Sequence, residues 1–73
     1  MFANNAAAFD RNDLQKLNDT GNCVKCDLSG AHLRSINLKG ANLKGAVLVD
    51  ARMYGAILCN TIMPDGSIDN SGC

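Results

Sequence analysis

The chain of 73 residues carries seven Lys+Arg against seven Asp+Glu, so it is formally neutral and sets up no long-range field to draw in nucleic acid or an acidic partner. That length holds one domain at most, and no run of roughly 18 apolar residues is present to form a membrane-spanning helix. The 47% hydrophobic content includes no Trp, two Phe and one Tyr, so the interior must be narrow and built from Ala, Leu, Ile and Val rather than from a few large rings.

The first residues, Met1 to Ala8, are too short and too polar for an intact signal peptide. Two readings stand for residues 1–9: a start left after processing, with Met1 supplied for expression, or a disordered start of a cytosolic chain. Residues 10–22 read as a capping helix and turn. The helical stretch is Asn12 to Thr20; Asp10 or Asn12 serves as N-cap, and Gly21 sits where a helix stops. Phe9, Leu14 and Leu17 give it an apolar side.

From Cys26 the chain parses without a gap into fives: CDLSG, AHLRS, INLKG, ANLKG, AVLVD, ARMYG, AILCN, TIMPD. The third place is always Leu or Met: Leu28, Leu33, Leu38, Leu43, Leu48, Met53, Leu58, Met63. The first place is mainly Ala, and the fifth is Gly, Ser, Asp or Asn. A helix would turn about 500° in five residues and scatter the Leu column around its axis. A strand would flip the column from face to face. The spacing makes sense only if the chain turns a corner in every unit, so that four units close a square coil of twenty residues. First and third places then point inward, and fifth-place residues tolerate the turn. A shift of twenty stacks Leu28 on Leu48, Leu33 on Met53, Leu38 on Leu58 and Leu43 on Met63.

These units, ANLKG and INLKG above all, resemble the pentapeptide-repeat family, whose unit is A-(D/N)-L-x-x. The resemblance covers Cys26 to Asp65 and implies an all-β right-handed quadrilateral β-helix, here of about two coils, spanning residues 23–65 with a short N-terminal capping α-helix. CDLSG at its start and CNTIMPDGS at its end resemble small exported or thylakoid-lumen members from cyanobacteria and plants. Phe9, Leu14 and Leu17 are expected over the top of the lumen. Residues 66–73 are expected to form a C-terminal cap or tail. Pro64-Asp65-Gly66-Ser67 is a turn, and Ile68 falls in the column beneath Leu48, where it would begin a third coil.

Four cysteines in so short a chain point to disulfides and an oxidising compartment. Counted in fives, Cys23 and Cys26 are adjacent inward positions across one corner, whereas Cys59 and Cys73 flank the tail. Of the three possible pairings, Cys23–Cys26 with Cys59–Cys73 is favoured. The expected location is the thylakoid lumen or periplasm, the alternative the cytoplasm. A thiolate metal site has the right ligand count, but the two couples fall at opposite ends of the stack.

No catalytic grouping is legible. His32, the single histidine, is outward, and a filled prism offers no concave site, so the chain reads as a non-enzyme without cofactor or metal. Arg34, Lys39 and Lys44 occupy three successive fourth places, either as a patch for an acidic partner or as a solvated rim. Val47, Val49, Tyr54, Ile57 and Ile62 stand outward where the upper coil carries polar residues; they are the candidate interaction surface, unless the tail folds back over them. The function expected is a structural or protein-interaction module of unknown partner, a monomer or end-to-end dimer, with no nucleic acid bound. Against it stand a topoisomerase-directed DNA mimic, as some longer members of the family are, and a small thiolate metal protein. Neutral charge and short length disfavour the mimic.

Overall fold

The computed structural model describes residues 9–73; what is expected of residues 1–8 lies outside them. From Lys25 to Asn60 every fifth residue has a positive φ: Lys25 61°, Gly30 70°, Ser35 58°, Gly40 72°, Gly45 73°, Asp50 59°, Gly55 78° and Asn60 52°. Seven third-place carbonyls, from Cys23 to Met53, each accept the N–H three residues on, at 2.9–3.4 Å. The positive φ therefore falls at the third residue of a β-turn, as a type II turn requires. In the second place, Asp27, Asn37 and Asn42 add a side-chain acceptor for the fourth-place N–H of Ser29, Lys39 and Lys44. This is the local reason that Asp or Asn precedes Leu in these units.

The corners return the chain on itself every twenty residues. Parallel bridges join Asn22 to Asn42, Asp27 to Val47, His32 to Arg52, Asn37 to Ile57 and Asn42 to Ile62. Each is flanked by bonds in both directions, as where Leu28 N donates to Val47 O and Val47 N to Cys26 O, at 2.9 and 2.8 Å. Between one corner and the next only the second-place residue is bonded on both sides, so these bridges stay isolated, while fifth-place N–H groups such as those of Lys25 and Gly30 add single bonds to Lys44 O and Val49 O, both at 2.8 Å. Among the described residues regular strands are confined to β1 (Thr61–Ile62) and β2 (Ile68–Asp69), which is less strand than an all-β description implies.

Inside, Leu28, Leu33, Leu38 and Leu43 of the upper turn (26–45) are fully buried with Cys23, Cys26, Ala31 and Ala41. Leu48, Met53 and Leu58 of the lower turn (46–65) pack beneath them but are only half-buried. Thr61 takes a first place otherwise mostly held by Ala, and its buried hydroxyl donates to Leu38 O at 2.6 Å while accepting from Cys59 N at 3.0 Å. That pairing removes the penalty of a lone polar atom in the interior.

Helix α1 (Arg11–Thr20) starts one residue before the expected Asn12. Asp10, not Asn12, is the N-cap, accepting from Asn12 N and Asp13 N at 2.8 and 3.3 Å. Gly21 ends the helix with φ 71° and donates its N–H to Leu17 O at 2.9 Å. Leu17 is buried in the core, and Phe9 and Leu14 pack against it. Two further bonds hold the helix to the upper turn: Asp10 N to Asp27 O at 3.0 Å, and Asp27 N to Asp13 Oδ2 at 2.8 Å.

The tail corrects one expectation. Ile68 does not begin a third coil: the chain reverses after Met63, and β2 runs antiparallel to β1, pairing Ile62 with Ile68 and Thr61 with Asp69. Ile68 is 58% exposed. The cause is a slip of one residue. The left-handed residue is now Gly66, φ 89°, rather than the fifth-place Asp65. Pro64 starts the turn, Gly66 N bonds Met63 O at 2.8 Å and Met63 N bonds Ser67 O at 2.7 Å, the hydrogen bonding of a three-residue hairpin loop with a glycine bulge.

Candidate interaction surface

The twenty-residue register stacks outward second-place residues in four columns, Asp27 over Val47, His32 over Arg52, Asn37 over Ile57 and Asn42 over Ile62. Four consecutive second places fall on four different faces of the coil. Val47, Ile57 and Ile62 therefore form a girdle around the lower turn, not one flat patch. Val49 and Tyr54, in fourth places, lie by the corners between these faces. Tyr54 is 87% exposed and Val49 64%, while Ile57 is 39% exposed and Ile62 is half-buried.

Val47, in a second place like Ile57, is 44% exposed, so the fourth-place residues are the more open, and the tail lies against only part of the girdle. Beyond β2 it runs back along residues 57–62: Asn60 N donates to Asn70 Oδ1 at 2.7 Å, and Gly72 N to Leu58 O at 2.6 Å. A Cβ on Gly72 would stand 2.9 Å from Leu58 N and 3.3 Å from Ile57 Cγ2. Of the five candidates, Ile57 and Ile62 thus lie beside the tail, and Val47, Val49 and Tyr54 stay open to solvent. Arg34, Lys39 and Lys44 sit at three successive corners and are not brought together. His32 is exposed above Arg52.

The cysteines lie in two couples at opposite ends of the repeat. The sulfurs of Cys23 and Cys26 are 2.10 Å apart and those of Cys59 and Cys73 are 2.02 Å apart, both at disulfide distance. The first pair is buried in the core beside Leu17; in the second, Cys73 is exposed. Among the described residues no three His, Cys, Asp or Glu gather as a metal site, and no helix is long and apolar enough to cross a membrane.

One set of polar contacts escaped the sequence reading although its signal is plain. Asp27, Asp65 and Asp69 each precede a serine by two residues, and each carboxylate accepts that serine's N–H; Ser29 and Ser67 also donate their hydroxyls at 2.6 Å. At Asp27 and Asp65 the serine hydroxyl first, and then its N–H, hold the carboxyl below the ordinary 3.8, and Asp69 is held below it by Ser71, whose N–H donates at 2.8 Å. The reach of Asp13 to Asp27 N has no local signal, because it depends on how the helix docks.

A profile of pentapeptide repeats matches residues 26–63 in eight copies. That is more than half of the chain, which belongs to the pentapeptide-repeat family. Among solved structures the chain is similar to HetL, a pentapeptide-repeat protein involved in heterocyst differentiation regulation in the cyanobacterium Nostoc sp. strain PCC 7120, with 48% identity and a TM-score of 0.65. The match covers 66% of this chain and 20% of HetL, so the chain matches about a fifth of that protein's length. The fold is accordingly the right-handed β-helix of this family. No curated protein matches the chain significantly.

Proposed function

We propose that the chain is a non-catalytic structural or protein-interaction module: a β-helix of two coils, closed above by α1, that presents the lower turn to a protein partner. The observation that carries this reading is a change in chemistry down three of the four columns, the fourth keeping Arg52 beneath His32. Asp27, Asn37 and Asn42 give way to Val47, Ile57 and Ile62, and apolar residues around one turn of a β-helix are contact surface when they stay open. The interior is packed with side chains, which suits a scaffold rather than a pocket for small molecules.

Two disulfide-distance pairs in so small a chain support an oxidising compartment, the thylakoid lumen or periplasm, as the place of action. The half-buried ends of the Leu48 and Met53 columns support end-to-end self-association as a second mode of contact. Formal neutrality weighs against duplex-DNA mimicry.

The reading is tested by cross-linking from a photoreactive residue at Val47 or Tyr54 in the native compartment. A discrete adduct that disappears in Val49→Asp supports it. Uniform background labelling from both sites, unchanged by that substitution, overturns it.

A further inference from the structure

We propose that the Cys59–Cys73 disulfide is a reducible latch and that the tail it holds is a strap over the lower edge of residues 57–62. The inter-coil bridges are parallel, but β2 lies antiparallel against β1. In the upper turn, the N–H groups of Leu28, Leu33, Leu38 and Leu43 point down and pair with carbonyls twenty or so residues on. Two of the corresponding downward groups at this edge, those of Asn60 and Met63, meet the tail instead. Met63 N is taken by Ser67 O and Asn60 N by Asn70 Oδ1. Leu58 O, which would close its own corner turn, is taken by Gly72 N. The strap therefore occupies the positions through which a further β-segment would add to this face.

What holds the strap is slight apart from the disulfide. Ile68 faces solvent, Asn70 to Cys73 are exposed, and β1 and β2 are two residues each. The two disulfides differ in the way that a selective latch requires. Cys23 and Cys26 are sealed in the core, whereas Cys73 is open to an attacking thiolate. A dithiol reductant supplies the chemistry. Its thiolate attacks Cys73 Sγ and forms a mixed disulfide, and Cys59 leaves as a thiolate that takes up a proton. The second thiol of the reductant then displaces Cys73 and closes its own disulfide. In net, two electrons and two protons pass to the protein and one dithiol becomes one disulfide.

Opening the latch frees the edge beside the already exposed Ile57 and the half-buried Ile62. That these two residues are contact surface rests on the function proposed above; the latch itself rests on the geometry alone.

The test is graded reduction of the full chain with dithiothreitol, with alkylation mapping of the four cysteines and amide exchange read on the same samples. Cys59 and Cys73 are expected to label at roughly tenfold lower reductant than Cys23 and Cys26, and the Asn60, Met63 and Gly72 amides to exchange about tenfold faster once they do, with those of Leu28, Leu33 and Leu38 unchanged. The variant Cys73→Ser is expected to show the same fast exchange without reductant; where it fails to accumulate, the reduced native chain supplies the reading. Labelling of all four cysteines together, or unchanged exchange at Asn60, Met63 and Gly72 after the latch has opened, overturns the proposal.

Discussion

Each corner asks one residue to hold a left-handed backbone, and the chain meets that demand unevenly. Gly30, Gly40, Gly45 and Gly55 do so freely, whereas Lys25, Ser35, Asp50 and Asn60 carry a Cβ into the same region. Gly40 has nothing within 4 Å of an added Cβ, so Gly40→Ala isolates the backbone cost, about 1 kcal/mol. At Gly45 the added Cβ would also stand 3.1 Å from Lys25 Cγ, so Gly45→Ala is expected to cost more. Ser35→Gly runs the other way and is expected to stabilise by up to about 1 kcal/mol. Urea midpoints of the three variants check the order Ser35→Gly, native, Gly40→Ala, Gly45→Ala.

The Asp–Ser pairs make a second prediction at this scale. Asp27, Asp65 and Asp69 have folded pKa values lowered from 3.8 by their serines. A depressed folded value means that the stabilisation is fully present above 3.8 and is lost as pH falls through the lower folded values. The thermal midpoint should therefore hold down to about pH 5 and drop below about pH 4. Asn37 and Asn42 accept the same turn N–H without a charge. Replacing Asp27, Asp65 and Asp69 by Asn should keep the turns and shrink the acid limb, and an unchanged acid limb by calorimetry would refute this assignment.

At the scale of elements, the five-residue spacing made the corners and the stacking legible, because one residue type per place dictates one direction per side chain. Helix α1 was legible from Asp10 and Gly21, the groups that satisfy its ends. The tail was not. Pro64 and Gly66 announce a turn, but its hand depends on whether the left-handed residue falls in the fifth place or one later, and that difference separates another corner from a hairpin. Gly72 is the residue on which the hairpin's return depends. Its missing side chain lets the tail approach Leu58, where a Cβ would be 2.9 Å from the backbone nitrogen and 3.0 Å from the carbonyl oxygen. Gly72→Ala should loosen the stretch between Gly66 and Gly72 while Cys73 stays bonded to Cys59 and the turns above it stay folded. Limited proteolysis is expected to clip the variant between Gly66 and Gly72 faster than the native chain, with the far-UV spectrum unchanged; equal clipping rates would show that the close approach is not what seats the tail.

Over the whole molecule, the two ends of the interior are finished differently. Above, Leu17 is buried with the upper leucines, and Phe9 and Leu14 pack against the same core. Below, the tail covers the edge of residues 57–62 and leaves Leu48 and Met53 half-buried. Stacking of one copy's lower end on another's top would have to displace α1, so the favoured self-contact is lower end to lower end about a two-fold axis. The two shorter dimensions of the molecule are 22 and 21 Å, which bound the buried area at roughly 900 Å² for the pair, under the ~1,200 Å² of stable interfaces. The expected dimer is therefore weak and concentration-dependent. Met53→Glu places a charge in that end and gives up the packing of Met53 against the core, so a far-UV spectrum matching the native chain is the control that its monomer still folds. Sedimentation equilibrium should show mass rising with concentration for the native chain and a constant monomer mass for Met53→Glu. A native chain that stays monomeric at the highest soluble concentration would remove self-association from the protein's repertoire and leave the exposed residues Val47, Val49 and Tyr54 as the surface on which any partner must act.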